Sequence, residues 1–207
     1  MSLDRFINGF DTALRTLAGV HQAQRPRPDC GGEKRELTAL EQKHSAGLMR
    51  INHCGEVCAQ ALYQGQALTA SDPKIAEALS EAAKEEIDHL KWCEQRLQEL
   101  GAQPTLLNPL WYGMSFSLGA VAGLLGDKWS LGFLAATEDQ VCRHLHEHLQ
   151  SISENDGLSR ATIAQMAEDE ANHSALARRE GAQELPKPIK DLMWEAAKIM
   201  KESAYRF

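Results

Sequence analysis

The chain of 207 residues lacks several features that would place a protein in a functional class directly. It has no surplus of positive charge, because 29 acidic residues against 22 basic ones give a net charge of −7. A nucleic-acid-binding protein needs a basic face for phosphates, so the charge balance argues against that class of partner. The sequence also lacks a glycine-rich dinucleotide fingerprint and a phosphate loop. A nicotinamide reductant would therefore have to bind without the usual fold or act through a partner.

Cysteines are few, and no targeting segment is evident. The five cysteines are an odd number without the spacing of a disulfide framework, which favours reduced thiols in a cytosolic setting. Residues 1–20 contain acidic residues, Asp4 and Asp11, and no clean apolar run. A signal peptide would show such a run and a transit peptide would avoid the acids, so we expect neither.

The N-terminal residues predict an amphipathic helix. Its apolar residues recur at three- and four-residue steps, which is one stripe on a helix: Leu3, Phe6, Phe10, Leu14 and Leu17. The stripe either packs on the body of the protein or lies on a membrane surface. Residues 22–37, here named the linker, carry two prolines and a Gly-Gly pair. We therefore predict an N-terminal helix and linker in residues 1–37, and one helical bundle in residues 38–207.

The second unusual segment is an uncharged one. Residues 110–126 are 17 in number and hold four glycines, which is short and helix-weakening for a bilayer span of ~20 apolar residues. One interpretation is a shallow apolar hairpin that dips into one leaflet, with Trp111, Tyr112 and Trp129 at the interface. The other is a hairpin buried in the protein core. The Gly119–Gly123 spacing resembles a helix-dimer motif, but only weakly in so short a segment.

Start and stop residues predict an all-α fold. Thr38 and Glu41 form a capping box, and Asp72-Pro73 opens a second helix that Gly101 ends. An apolar hairpin near residues 106–136 follows, and its second arm continues to about residue 153. Ser159 is expected to cap a helix ending at residue 181, and a last helix occupies residues 189–204. No strand-length alternating run is present.

A repeated motif contains the candidate metal ligands. Two Glu-x-x-His motifs occur, and three residues along a helix place both side chains on one face. Each motif follows an isolated glutamate by about thirty residues. The six residues are Glu56, Glu86, His89, Glu138, Glu170 and His173. One such motif is weak evidence, because charged helices produce it on solvated faces. Two copies with matching upstream glutamates predict two helix pairs that share a metal centre.

Helix geometry supports this prediction. At ~1.5 Å per residue, an antiparallel helix pair brings Glu56 level with Glu86 and His89, whereas the second pair is out of register by ~6 Å. Four carboxylates and two imidazoles make an oxygen-rich site, unlike the thiolate sites of zinc or iron–sulfur clusters. Two divalent ions would offset the carboxylate charges. We therefore predict two metal ions, with iron preferred and manganese second.

Several neighbouring residues carry weaker expectations. Cys54 and Cys58 flank Glu56 and should point away from it as small core residues. Cys142 and Leu145 could line a cavity beside the metals. His53 is either an outer partner of the ligands or an ordinary core histidine.

Three further histidines lie close together in the sequence. His144 and His148 share a helix face that His146 does not. A solvated or interfacial cluster is a better interpretation than a further metal site, and the sequence assigns these residues no role.

These motifs resemble those of the demethoxyubiquinone hydroxylases, ferritin-like di-iron monooxygenases of ubiquinone biosynthesis, over essentially all of residues 1–207. The specific element is Asn52-His53-Cys54-Gly55-Glu56, while the Glu-x-x-His motifs are shared with many di-iron proteins. Some relatives carry a tyrosine near the irons where this chain has Leu145, so a tyrosine relay is not expected there.

The resemblance implies a ferritin-like four-helix bundle with additional N- and C-terminal helices and a membrane-associating apolar hairpin. It implies that Glu56, Glu86 and His89 hold one iron and that a second set holds the other, with Glu86 and Glu170 bridging. The second set is Glu138, Glu170 and His173. No catalytic residue beyond the metal ligands is expected.

The same resemblance implies an O₂-dependent monooxygenase that hydroxylates the ring of 2-polyprenyl-3-methyl-6-methoxy-1,4-benzoquinol. Such a protein would lie on the cytoplasmic face of a bacterial inner membrane, with accessory biosynthesis proteins or a second copy as further partners. Two rivals remain: a soluble ferritin-like iron oxidase or peroxidase, and a non-catalytic helical protein that binds lipid or quinone.

Overall fold

The computed structural model describes residues 3–20, 22–32 and 35–206, with residues 3–8 described by their backbone alone. Within these ranges all regular structure is helical, as the sequence predicts. The helices are α1 (Leu3–Ala18), α2 (Ala39–Thr69), α3 (Pro73–Glu99), α4 (Asn108–Leu124), α5 (Asp127–Ser151), α6 (Gly157–Arg179) and α7 (Lys187–Arg206).

The ends of α2 and α3 follow the predicted capping residues. The Thr38 hydroxyl accepts a hydrogen bond from the Glu41 backbone N–H at 3.3 Å, and the Glu41 carboxylate accepts one from the Thr38 N–H at 2.8 Å. Asp72 caps α3 by accepting from the Lys74 N–H at 2.9 Å. Gly101 then adopts φ +69°, a left-handed conformation that glycine enters without steric cost and that ends the helix.

The start of α6 differs from the prediction. Asp156, not Ser159, is the cap: its carboxylate accepts from the Ser159 N–H at 3.0 Å, so the helix begins at Gly157. The Ser159 hydroxyl instead accepts a hydrogen bond from Arg96 Nε at 2.8 Å. An aspartate that already satisfies the first free N–H groups leaves Ser159 inside the helix.

This earlier start of α6, together with an end of α5 that comes two residues earlier than predicted, removes the predicted mismatch between the second pair of helices. Thirteen residues separate Glu138 from the last residue of α5, and thirteen separate the first residue of α6 from Glu170. The same spacing holds for Glu56 in α2 and Glu86 in α3. All four glutamates therefore lie at one level of an antiparallel bundle, in which α2 pairs with α3 and α5 with α6.

Apolar layers enclose that level on both sides. One layer contains Met49, Trp92, Leu145 and Met166, and the other contains Tyr63, Leu79, Leu134 and Ala177. In each of these four helices the predicted metal ligands fall between the residues that belong to the two layers. The polar level is therefore sealed at both ends by packed side chains.

Helix α4 lies against the outside of α2 through its glycines. A Cβ atom at Gly119 would collide with the carbonyl group of Leu62, and one at Gly65 with the carbonyl oxygen of Phe116. The backbones of the two helices can approach this closely only because both positions lack a side chain. Gly119 and Gly123 thus serve packing within the chain.

Tyr112 corrects one expectation. It is buried, and its hydroxyl donates a hydrogen bond to Gln64 on α2. Its predicted position at a membrane interface is therefore wrong, because the ring faces α2 instead of the outside. Trp111 and Trp129 are half-buried.

The opposite face of α4 is open. Six large apolar residues of this segment are exposed: Leu110, Met114, Leu118, Val121, Leu124 and Leu125. The interpretation of residues 110–126 as a fully buried core hairpin is therefore wrong, since only one face is covered. Within the described ranges, no helix has the length and apolar character needed to cross a membrane.

The apolar stripe of α1 is also turned outward. Phe10, Leu14 and Leu17 are exposed, whereas Thr16 is buried and Ala13 contacts the cluster around Val57. The interpretation that the stripe itself packs on the body is therefore wrong for these residues. The side chains of Leu3 and Phe6 lie outside the described residues. At the other end of the chain, α7 is slightly longer than predicted and covers α2.

Candidate metal centre

Six ionisable side chains from four helices meet in the middle of the bundle. Each is at most 6% exposed, and together they are Glu56 from α2, Glu86 and His89 from α3, Glu138 from α5, and Glu170 and His173 from α6. One ligand atom from each of four of them, Glu56, Glu86, His89 and Glu170, lies within 4.8 Å of the others. The helical spacing of the two motifs brings these groups to one place.

Glu86 and Glu170 lie between the two imidazole rings. His89 Nδ1 is 2.9 Å from Glu86 Oε2, 3.2 Å from Glu170 Oε1 and 3.7 Å from Glu56 Oε2. His173 Nδ1 is 3.1 Å from Glu170 Oε2 and also 3.1 Å from Glu86 Oε1. Both rings therefore turn the same nitrogen, Nδ1, toward the shared carboxylates.

Glu138 enters the centre from α5 and has a partner, Tyr63, that is not among the residues predicted from the sequence. Its Oε1 accepts a hydrogen bond of 2.6 Å from the Tyr63 hydroxyl, while its Oε2 makes no hydrogen bond with any described residue. Tyr63 lies seven residues after Glu56 on α2, which places the two side chains on one helix face. That seven-residue spacing is the feature of the sequence that could have indicated Tyr63 as a residue of the centre.

Burial and repulsion from neighbouring carboxylates raise the pKa values of two of the carboxyl groups. Burial raises the pKa of Glu56 and of Glu138 well above the ordinary value, and the negative charges of Glu170 and Glu86 raise both further. Burial likewise raises the pKa of Tyr63 well above its ordinary value, so this hydroxyl remains a hydrogen-bond donor.

The pKa values of the two imidazoles are raised as well, which for a histidine favours the charged form. Burial alone lowers the pKa of a histidine, but hydrogen bonds with Glu170 and Glu86 raise the pKa of His173 to about 12. The charge of Glu86 and three carboxylate contacts likewise raise the pKa of His89. Although burial works against it, the two imidazoles hold the pKa of Glu86 well below its usual range. Two imidazolium charges thus balance part of the buried negative charge.

Each histidine is held from outside by an acid of the other helix. His89 Nε2 on α3 is 2.9 Å from Asp169 Oδ2 on α6, and His173 Nε2 on α6 is 3.0 Å from Glu85 Oε2 on α3. Neither acid belongs to the ligand set predicted from the sequence, although each directly precedes the glutamate of a Glu-x-x-His motif. An acid on the outer nitrogen fixes ring orientation and leaves the inner nitrogen free to bind a metal.

The weaker candidates make their contacts with other parts of the bundle. Cys54 is buried against Ile51 and Met200, as expected for a small core residue. The Cys142 thiol donates to the Ala167 carbonyl oxygen at 3.6 Å, and Leu145 is fully buried in an apolar layer.

His53 does not touch the glutamate that it precedes. Its Nδ1 is 3.4 Å from the Asn108 amide nitrogen, and its Nε2 is 3.7 Å from Glu94 Oε1. These contacts direct the ring toward α4 and the end of α3.

The histidine cluster was predicted to be solvated or interfacial, and the first of these alternatives is wrong. His144 and His148 are buried, with ring centroids 5.1 Å apart, and only His146 is exposed. Burial, together with the positive charge of Lys201, lowers the pKa of His148 to about 4 and lowers that of His144 well below normal. This pair is neutral at physiological pH, in contrast to the histidines of the centre.

Comparisons with known proteins agree on one family. The sequence model described as "Ubiquinone biosynthesis protein COQ7" matches residues 43–204. A Dechloromonas aromatica protein named 3-demethoxyubiquinol 3-hydroxylase is 56% identical over 207 residues, covering 100% of both chains. Proteins of the same name from Laribacter hongkongensis (54% identical, 98% of each chain) and Pseudomonas aeruginosa (55% identical, 99% of this chain and 95% of the relative) are also similar. The chain therefore belongs to the COQ7 family of ubiquinone biosynthesis proteins.

Proposed function

We propose that this protein is an O₂-dependent hydroxylase of the ring of a prenylated demethoxybenzoquinol in ubiquinone biosynthesis. The observation that carries the proposal is the buried Glu/His centre, found in a chain 54–56% identical to relatives named for that reaction. The proposal includes two iron ions as the cofactor. It also includes a ferritin-like arrangement of α2, α3, α5 and α6, with the N-terminal helix and linker as a separate region.

The residues of the centre fit a pair of divalent ions. Glu138 Oε2 is buried and has no hydrogen-bond partner among the described residues, which leaves one carboxylate oxygen available for a ligand. Four carboxylates and two imidazoles form a hard, oxygen-rich donor set that suits iron or manganese better than zinc. Iron is the better choice for a reaction with O₂, because non-haem iron is among the cofactors that carry one-electron and O₂ chemistry in enzymes. Metal binding would displace the Nδ1 proton of each imidazolium, since each ring would bind through that nitrogen and keep its Nε2 proton for the outer acid.

The contacts support a specific division of ligands. Glu56, Glu86 and His89 would hold one ion, because His89 Nδ1 already contacts both carboxylates. Glu138, Glu170 and His173 would hold the other. Glu86 and Glu170 would bridge the two ions, because each of them contacts both imidazoles.

When bound, the iron pair would supply the activation of O₂ needed to insert one oxygen atom into the quinol ring. The protein positions the ligands and excludes water. The apolar layers around Met49 and Leu134 seal the centre at its two ends. The Tyr63 hydroxyl holds Glu138 through one oxygen and leaves the other free. Such positioning and dehydration are what a cofactor enzyme contributes to the cofactor's own chemistry.

The outer face of α4 suits a prenylated substrate. A long isoprenoid tail keeps the quinol in a membrane, so the enzyme must meet it at a lipid surface. The exposed leucines of α4 would lie in the headgroup region of one leaflet without crossing it. We therefore propose a peripheral position on the cytoplasmic face of a bacterial inner membrane, where accessory biosynthesis proteins or a second copy of the chain would be further partners.

The test is the quinone content of cells that lack this chain. Cells are complemented with wild type, Glu170→Ala, the isosteric Glu170→Gln, or the control Glu168→Ala. Glu168 is an exposed glutamate of the same helix. We expect a ubiquinone precursor short of one methoxy group to accumulate without the protein, and wild type and Glu168→Ala alone to restore ubiquinone. Iron content of the purified variants should fall only when Glu170 is replaced.

The outcomes separate the parts of the proposal. Normal ubiquinone in cells lacking the chain would contradict the substrate assignment. Full activity and iron content in a folded Glu170→Gln protein would contradict the ligand assignment instead. A large water-soluble cage with iron oxidase activity in the absence of detergent would favour the storage alternative.

A further inference from the structure

The linker passes over the outer side of His89 and contacts two buried acids. Arg25 Nε is 2.9 Å from Asp88 Oδ2, and Arg25 Nη2 is 2.8 Å from Asp169 Oδ2. The other oxygen of Asp88 accepts a hydrogen bond of 2.6 Å from the Gln24 backbone N–H. Arg25 therefore joins α3 and α6 from a segment that belongs to neither helix.

One carboxylate oxygen connects this arginine to a proposed metal ligand. Asp169 Oδ2 contacts both Arg25 Nη2 at 2.8 Å and His89 Nε2 at 2.9 Å. Trp92 completes the arrangement, because its indole N–H donates to the Arg25 carbonyl oxygen and its ring lies 5.0 Å below the guanidinium group. The position of Arg25 is thus fixed by its backbone, its charge and its stacking.

The other imidazole, that of His173, has no arginine of the described chain behind its outer acid. Its outer acid, Glu85, has a side chain that is 56% exposed and forms no ion pair with a lysine or arginine of the described ranges. Asp169, by contrast, is buried and also accepts from Gln165. The two halves of the centre therefore share their inner carboxylates but differ in how firmly the outer acid is held.

We propose that Arg25 is a positioning residue for the metal site at His89. The guanidinium group holds Asp169 in the orientation that directs His89 Nδ1 toward the shared carboxylates. Without it, the carboxylates of Asp88 and Asp169 would lose the guanidinium group that they share, and Asp169 would be free to turn away from His89. This inference rests on the proposed two-metal centre and predicts that the two metal positions differ in their dependence on the linker.

The test is a Co²⁺ titration of the metal-free full-length protein against a competing chelator, followed by Co²⁺ absorption. The variant is Arg25→Met, which keeps an unbranched apolar stem but removes the charge and the donors. The matched control is Arg27→Met, because Arg27 lies on the same linker and pairs with Glu99 near the end of α3. Losing an outer partner of a histidine ligand typically costs 10–100-fold in metal affinity.

We expect two Co²⁺ ions to bind wild type and Arg27→Met alike, and one of the two to bind Arg25→Met 10–100-fold more weakly. Arg25→Lys should lie between, since a single ammonium group cannot serve both acids in parallel. This variant carries the test if Arg25→Met does not fold. In an Asp169→Asn background the effect of Arg25→Met should largely vanish, because the two residues act through one contact.

Three results would overturn one of the two proposals. Equal Co²⁺ affinities in wild type and Arg25→Met would overturn the role of Arg25. Equal losses of Co²⁺ affinity in Arg25→Met and Arg27→Met would mean that the linker only stabilises the fold in general. That result would also overturn the role of Arg25. Failure of folded wild type to bind two Co²⁺ ions would instead overturn the two-metal centre itself.

Discussion

The interior of the bundle holds charge, whereas the outer face of α4 holds exposed apolar side chains. Four carboxylates and two imidazoles lie at most 6% exposed between two apolar layers. In α4, by contrast, Leu118 and Leu124 lie 20 and 14 residues before Glu138 in the sequence and are exposed. Charged groups are usually exposed in soluble proteins and large apolar patches are usually covered, so both regions depart from the common distribution.

The two departures are balanced in different ways. The charges of the centre are paired within the chain, because each imidazole lies about 3 Å from carboxylates on both sides. The outer face of α4 is covered by nothing in the described chain. The charges of the first region are therefore balanced inside the chain, where the proposed metal ions would replace protons of the imidazoles. The second region would be balanced by an external apolar surface, as the proposed contact with a membrane supplies. The boundary between them is the contact of α4 with α2.

The largest effect is expected from closing the space at that boundary. Gly119→Ala places a methyl group against the Leu62 backbone, which cannot move aside as a flexible side chain would. We expect a loss of about 3 kcal/mol in the free energy of unfolding, measured by urea denaturation. The matched control is Gly113→Ala on the same helix, where a Cβ atom meets nothing within 4 Å. It should gain about 0.5–1 kcal/mol through helix propensity.

A loss of stability in Gly119→Ala together with a gain in Gly113→Ala is expected only if Gly119 packs against the backbone of α2. If both variants lost stability equally, α4 would not be held by backbone contact at Gly119. If neither changed, the helix would contribute little to the folded state, and its apolar face would have to be explained without the docking of its glycines.

The sequence predicts the centre better than its surroundings. Glu86, His89, Glu170 and His173 follow from a helical spacing of three, which fixes direction without any knowledge of neighbouring helices. The outer acids Glu85 and Asp169 could not be assigned in the same way. Each points toward the other helix, so its partner depends on the register between α3 and α6.

Tertiary packing also decided which face of α4 is buried. A segment with apolar residues on all sides gives no periodicity to orient it. The buried side is set by Gly119 and Gly123, whose role becomes evident only beside Leu62 and Thr69 of α2. The same limitation explains the error at Tyr112. Its amphipathic side chain suits a membrane interface as well as the hydrogen bond that it makes with Gln64.

A smaller effect is expected from changing the outer face of α4. Leu118→Gln removes a leucine that is 50% exposed and contributes little to the folded core. We expect binding to liposomes of mixed zwitterionic and anionic lipids to weaken by roughly tenfold, or about 1–2 kcal/mol, with unchanged thermal stability. Leu192→Gln on α7 is the control, because Leu192 is 71% exposed on a different surface. Equal binding by both variants would refute contact of this face with lipid.

The smallest effect concerns the interior histidines that lack acidic partners. The pKa of His148 is lowered to about 4 by burial and the charge of Lys201, against about 6.5 in an unfolded chain. As the pH falls below 6.5, the unfolded chain binds a proton that the folded protein does not, so stability decreases toward pH 4. Its buried Nδ1 makes no hydrogen bond with a described residue, so His148→Gln forfeits no bond there. Between pH 7.5 and pH 6, we expect the variant to lose about 1 kcal/mol less unfolding free energy than wild type, by urea denaturation. The exposed His146→Gln should follow wild type, and a wild-type slope in His148→Gln would contradict a neutral buried pair.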